Sequence, residues 1–241
     1  MDYTAFKEFF ALSLQKNGLP PLLDDQIDLF YAFADHLLEV NRTTNLTAIC
    51  NMPDVITKHF VDSLLVSQYI PKGASVLDLG CGAGFPSIPL AIARPDLSVT
   101  ALDSTSKKIA FVNGSAKLLN LSNLSAVAGR AEDPVLAKQL GLFDVVTSRA
   151  VARLNILSEL CMPYVRVDGA FLPLKAAKAD EELFEAKRTI SFLGGDAAKV
   201  HPHTLITDAA EEPRCVIEIR KKREVPKGYP RAYAAILKKP L

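Results

Sequence analysis

Apolar residues recur at helical spacing over the first seventy positions of the chain. Phe6, Phe9, Phe10, Leu12 and Leu14 share one broad face, and the pattern stops at Asn17-Gly18, a dipeptide suited to ending a helix. Ile27, Leu29, Phe30, Phe33, Leu37 and Leu38 mark a second helix, with Asp24 or Asp25 as its expected cap. Pro53 fits the first turn of a third, which carries Val55, Ile56, Phe60, Val61, Leu64 and Leu65. At Pro71-Lys72-Gly73 the pattern changes, and short apolar runs begin to alternate with amphipathic stretches. Strands are expected at 75–79, 97–102, 124–128, 143–147 and 170–174, and helices at 86–94, 106–119, 133–140, 154–165 and 180–192. Two later runs, 199–206 and 214–221, look like closing strands. Strands alternating with helices predict an α/β fold, a doubly wound and mostly parallel sheet. Its ligand belongs across the carboxyl ends of the strands, at the switch point. The expected division is an N-terminal helical extension over 1–70 and a ligand-binding domain over 71–241.

Charge and cysteine content narrow the chemistry. The net charge of +1 argues against a uniformly basic nucleic-acid binder, so any phosphate footprint has to be clustered. Such a cluster exists in Arg214, Arg220, Lys221, Lys222, Arg223, Lys227, Arg231, Lys238 and Lys239, opposed only by Glu218 and Glu224. A solvated face is the plain alternative for this stretch. Cys50, Cys81, Cys161 and Cys215 show no metal-ligand spacing, which points to reduced thiols and no metal site. The start of the chain has no signal-peptide pattern, and no window reaches eighteen apolar residues. A cytoplasmic monomer away from the membrane is expected.

The run Asp78-Leu79-Gly80-Cys81-Gly82-Ala83-Gly84-Phe85-Pro86 leaves a strand and opens a helix. Its spacing is GxGxG. A nicotinamide loop would place glycine at position 85, and a P-loop needs Gly-Lys-Ser/Thr; neither is present. Asp103 stands 23 positions after Gly80 at the end of the second strand, where a carboxylate can accept from a ribose diol. The Arg130-Ala131-Glu132-Asp133 turn can reach an adenine edge, and Asp78 can face an ammonium group. All four features at one sheet edge point to S-adenosylmethionine as cofactor. Base amino-group methyltransferases usually carry an Asn/Asp-Pro-Pro-aromatic motif after the fourth strand; this chain has Ser148-Arg149-Ala150-Val151. Methylation of pyrimidine carbon 5 needs a cysteine nucleophile in a sheet-end loop. Cys161 falls in an expected helix and Cys81 in the glycine loop. An acceptor needing no covalent attack remains.

Several segments, in order over about residues 20 to 241, resemble the bacterial 16S ribosomal RNA guanine-N7 methyltransferases, the glucose-inhibited division protein B family. They are Asn41-Arg42-Thr43-Thr44-Asn45-Leu46-Thr47, Lys58-His59-Phe60-Val61-Asp62-Ser63, the loop from Asp78 to Pro89, Leu102-Asp103-Ser104, Gly129-Arg130-Ala131-Glu132, Ser148-Arg149-Ala150 and Leu174-Lys175. The resemblance implies a class I S-adenosylmethionine-dependent methyltransferase fold. It implies cofactor contacts at Gly80, Phe85, Asp103, Ser104, Ala131, Glu132 and Arg149, and a substrate guanine in the decoding-region loop of 16S RNA or the small subunit. Asp78, Gly82 and Thr105 complete the cofactor candidates, and Arg149, Lys175, Asn45 and His59 are the catalytic candidates. His59 and Asp62, a helical i, i+3 pair, are alternatively expected to bond only each other. Asn45 is alternatively a helix-end residue. The tail departs from the family pattern YPRKAGxPxKKPL: here it runs Tyr229-Pro230-Arg231-Ala232-Tyr233-Ala234-Ala235. Two other readings stay open, a small-molecule methyltransferase with the N-terminal helices as a lid, and a non-catalytic nucleotide-sensing or RNA-binding module.

Overall fold

The computed structural model describes residues 1–241. Two long helices, α1 (Tyr3–Lys16) and α2 (Asp24–Thr44), lead into a short α-turn α3 (Met52–Asp54), a π-helix (Val55–Val61) and a second turn α4 (Asp62–Leu64). Then β1 (Ser75–Leu79), α5 (Ser87–Ala93), β2 (Ser98–Asp103), α6 (Ser106–Leu118), β3 (Leu124–Ala128), α7 (Pro134–Leu140) and β4 (Phe143–Arg149) alternate. They are followed by α8 (Leu154–Cys161), β5 (Val165–Lys175), α9 (Ala179–Phe192), β6 (Lys199–Ile206), β7 (Glu211–Arg220) and α10 (Tyr233–Lys238). The strands form one seven-stranded sheet in the order β3-β2-β1-β4-β5-β7-β6. β1 to β5 are parallel, and β7 and β6 close the edge antiparallel. Strand order reverses between β1 and β4, so the crevice above their carboxyl ends is the place for a ligand.

Local chemistry accounts for the differences from the expected elements. Leu23, not Asp24 or Asp25, precedes α2; its amide is held by Gln26, while both aspartates sit in the first turn, where the helix dipole favours them. The Gln26 side chain also donates to the carbonyls of Ile92 and Ala93, joining α2 to the end of α5. The third helix is largely a π-helix. The helix expected over 154–165 stops at Cys161, because Pro163 has no N–H to continue it, and Val165 already belongs to β5. The tail helix α10 carries no long apolar repeat and was not expected.

The larger of two apolar clusters joins Phe6, Phe10, Phe30, Phe33 and Phe60 of the helical segment to Val76, Phe85, Leu172 and Val216 around the sheet. Phe60 is fully buried, with ring centroids of Phe10, Phe30 and Phe33 at 5.9, 5.0 and 5.6 Å. Aromatic truncation in such a core costs roughly 3–5 kcal/mol. Phe60→Ala should lower stability by about that amount in a single urea transition seen identically by circular dichroism and tyrosine fluorescence. An early, separate loss of the helical segment would contradict the shared core.

Candidate active site

The chain leaves β1 at Leu79 and turns through the glycine loop into α5. Gly80 has φ +79°, and a Cβ there would lie 2.3 Å from Val151 Cγ2; at Gly84, φ is +93° and a Cβ would meet Ile88 Cδ1 at 2.5 Å. Both positions therefore require glycine. The amides of Gly80 and Cys81 donate to the Leu102 carbonyl and fasten the loop to β2. Asp103 ends β2, with Oδ1 accepting from the Thr105 amide at 2.8 Å and Oδ2 from the Gly82 amide at 3.0 Å. Each oxygen keeps a lone pair for a further donor. A cavity of about 330 Å³ opens over this edge, lined by Gly80, Asp103, Ser104, Thr105, Lys108, Gly129 to Glu132, Ala150, Val151, Leu160 and Tyr233, with Leu79 and Leu102 beneath.

Asp78 lies under the glycine loop, fully buried. Its Oδ2 accepts from the Ser87 amide at 3.0 Å, and its Oδ1 has no partner. Burial pushes its pKa up to about 7 against the opposing effect of Ser87. A buried carboxylate oxygen without a donor is costly and suits a cationic ligand. Together with the Gly80 cradle and the oriented Asp103, it fits the charge and ribose of S-adenosylmethionine.

A second cavity, of about 660 Å³, shares the wall Ala150-Val151 with the first and reaches Asp62, Arg149, Lys175, Glu182, Glu212 and Arg214. Ala150 holds φ +57°, an uncommon value for a residue with a side chain. Arg149 Nη1 donates to the Lys58 carbonyl and to Asp62 Oδ2, both at 2.8 Å, and Nη2 to His59 Nδ1 at 3.1 Å. Because a guanidinium only donates, His59 Nδ1 is the acceptor, and Nε2–H donates to Thr47 Oγ1 at 2.9 Å. Burial, helped by the Arg149 charge, pushes the His59 pKa down to about 3. The imidazole stacks on Phe85 at 4.1 Å between centroids. Asp62 Oδ1 also receives Arg214 Nε at 3.0 Å. Lys175 Nζ donates to the Ala152 carbonyl and pairs with Glu182 Oε2, each at 2.7 Å.

Gly80, Asp103, Ser104, Thr105, Ala131 and Glu132 thus converge on the first cavity, and Arg149 and Lys175 on the second. Asp78 and Gly82 line neither cavity; Asp78 lies beneath the loop on the Ser87 amide, and Gly82 lies within it with its amide on Asp103. Phe85 does not line either cavity; its ring fills the space between the loop and His59. His59 and Asp62 do not bond each other, because both are drawn to Arg149. Asn45 lines neither cavity and holds φ +50° at the end of α2, a left-handed position that Asn tolerates. Much of the basic cluster is committed internally. Lys221 is buried with Nζ on the Val165 carbonyl; Arg214 pairs with Asp62 and Glu212, Arg220 with Glu218 and Arg231 with Glu159; and Arg223 bonds the Ser191 carbonyl. Lys222, Lys227, Lys238 and Lys239 remain exposed. Val151, Leu160 and Tyr233 were missed as lining residues; only the departure of the tail from the family pattern pointed toward Tyr233. No three His, Cys, Asp or Glu side chains come together as a metal site. Burial raises the Cys81 and Cys161 thiols far above neutrality, so neither is a ready thiolate.

Sheet order, glycine loop and strand-end acid define a class I S-adenosylmethionine-dependent methyltransferase fold. Solved structures agree: an O-methyltransferase from Bacillus cereus in complex with S-adenosylhomocysteine superposes with a TM-score of 0.57 over 91% of this chain and all of that one, at 14% identity. Precorrin-6y C5,15-methyltransferase from Geobacter metallireducens gives 0.53 over 67% of this chain and 88% of that one, at 16% identity. The family model described as rRNA small subunit methyltransferase G matches residues 26–206. Relatives named ribosomal RNA small subunit methyltransferase G are 41% identical in Oceanobacillus iheyensis, over 97% of this chain and 98% of theirs, and 47% identical in Lachnoclostridium phytofermentans, over 96% of each. The chain belongs to the rRNA small subunit methyltransferase G family.

The Asp78 carboxyl has a definite sign in stability. Its folded pKa of about 7 exceeds the ordinary carboxylate value, so between roughly pH 4 and 7 the folded state holds a proton that the unfolded chain releases. Stability from this group therefore falls as pH rises through that window. Without ligand, the stability difference of Asp78→Asn over wild type should grow from pH 5 to pH 8, by roughly 1.4 kcal/mol per pH unit at most. Urea denaturation at several pH values measures it; a pH-independent difference would show that Asp78 titrates normally.

Proposed function

We propose that this chain, in the cytoplasm and as a monomer, transfers the methyl group of S-adenosylmethionine to N7 of a guanine in the decoding-region loop of 16S ribosomal RNA. The observation that carries the reading is the pair of cavities meeting at the Ala150-Val151 wall, with cofactor-type groups in one and no free base in the other. Asp103 takes the ribose diol, the Asp78 carboxyl beneath the glycine loop attracts the ammonium end, and the amides of 129–132 take the adenine edge. Bound there, the cofactor supplies an electrophilic sulfonium methyl.

Guanine N7 has an in-plane lone pair and no proton at neutral pH, so the protein has none to remove. What is left is alignment and exclusion of water, which is catalysis by proximity. The side chains fit that task. Arg149 is fixed by three acceptors, and its Nε–H and second Nη2–H have no protein partner. Those donors suit the guanine O6 carbonyl or a phosphate oxygen. Lys175 holds the wall through the Ala152 carbonyl and is a positioning residue. His59, neutral and tied to Thr47, braces Arg149 and is no general base. Lys222, Lys227, Lys238 and Lys239 are the cations free for backbone phosphate.

Methyl-labelled cofactor and unmethylated small-subunit RNA, followed by borohydride and aniline cleavage, locate the product. Label at N7 of one guanine is expected, and label on another atom or on no RNA would refute the reading. Asp103→Ala should weaken S-adenosylhomocysteine binding about tenfold or more in calorimetry, the loss of charge-assisted hydrogen bonds worth roughly 1.5–3 kcal/mol. Unchanged affinity would remove Asp103 from the ribose.

A further inference from the structure

The C-terminal segment after β7 returns across the molecule to the cofactor cavity. It is fastened at three places around one aromatic residue. Arg231 donates its amide and Nε to Glu159 Oε1 at 3.0 and 2.8 Å and Nη2 to Oε2 at 2.6 Å. Glu159 is fully buried in α8, while Arg231 is half-buried and closes over it, a bidentate charge-assisted pair. Ile236 of α10 is fully buried in the second apolar cluster, and the Thr189 hydroxyl of α9 donates to the Leu241 carbonyl at 2.7 Å. Between these anchors, Tyr233 packs against the same cluster as Ala131 and Leu160 and, like them, lines the first cavity.

The orientation of a nucleoside in that cavity follows from the wall it shares with the second. The reactive end must lie at Ala150-Val151, where both cavities meet. Asp103 fixes the ribose, and the purine is left with the end bounded by Gly129 to Glu132, Leu160 and Tyr233. That end is apolar in Ala131, Leu160 and the Tyr233 ring, with Arg130 and Glu132, paired with each other at 3.6 Å, as its charged side chains. A purine ring gains most from a flat aromatic neighbour in such a place.

We propose that the C-terminal segment is a working part of the cofactor site and that Tyr233 is the aromatic wall against the adenine of S-adenosylmethionine. The proposal rests on the cofactor reading above. Arg231, Ile236 and Leu241 hold the wall in place, and the ring face, not the phenol hydroxyl, carries the contact. A tail that makes this wall also couples cofactor retention to the segment bearing Lys238 and Lys239, the exposed cations nearest to it in the chain.

Calorimetry with two probes tests it. S-adenosylhomocysteine carries adenosine and the amino-acid end; methylthioadenosine carries adenosine alone. Tyr233→Ala should weaken both by a similar factor of about ten, the range for loss of one base–aromatic stack. Tyr233→Phe should bind both as wild type does. Asp78→Asn should weaken only the first probe. Matching affinities of Tyr233→Ala and wild type, with Asp103→Ala weakened, would overturn the wall while leaving the cofactor site standing. A loss in Tyr233→Phe equal to that in Tyr233→Ala would overturn it too, by assigning the effect to the hydroxyl. Failure of the wild type to bind either probe would instead overturn the cofactor reading.

Discussion

The guanidinium of Arg149 holds the helical segment, the central sheet and the edge hairpin in one arrangement. It leaves the end of β4, bonds the Lys58 carbonyl, His59 and Asp62 of the π-helical region, and through Asp62 meets Arg214 of β7. Removing one partner from a buried pair of this kind commonly costs about 3–5 kcal/mol, because the other charge is left stranded. The same contacts fix the direction of the free Nε–H and thereby shape the second cavity. The π-helix brings Lys58, His59 and Asp62 to one cation, and π-turns are often found where a site needs such a local adjustment.

Asp78 supplies the opposite constraint. Its carboxyl is placed where the fold gains nothing from its charge, under a loop whose glycines are required by Val151 and Ile88. Its Oδ1 is unpartnered, and burial raises its pKa to about 7. The structural cost of a carboxyl at this position is what the proposed cofactor charge would offset.

The sheet was legible because its strands are short apolar runs cut by turn residues, and the glycine loop because backbone geometry leaves few residue choices. The lining of the first cavity was legible for the same reason: Gly80 and Asp103 stand at strand ends and Ala131 in the turn after a strand. The second cavity was not. Whether His59 bonds Asp62 or Arg149 depends on an arginine 90 positions away, and local spacing favours the wrong partner. The basic stretch looked like a surface because charge along a sequence says nothing of burial. Lys221 proves to be buried and Arg231 half-buried, each answering a carbonyl or carboxylate supplied by a distant element. Tyr233 escaped because a six-residue helix has too few turns to show a period.

An acceptor site without a working base is the central claim. His59 is held neutral by burial and by Arg149, and Lys175 is spent on the wall. Single-turnover methyl transfer at saturating cofactor, from about pH 6.5 to 8.5, tests this most directly in wild type and His59→Gln. A nearly flat rate in both proteins is predicted. A rate rising tenfold per pH unit in the wild type and flattened in His59→Gln would show a titrating base and contradict the account.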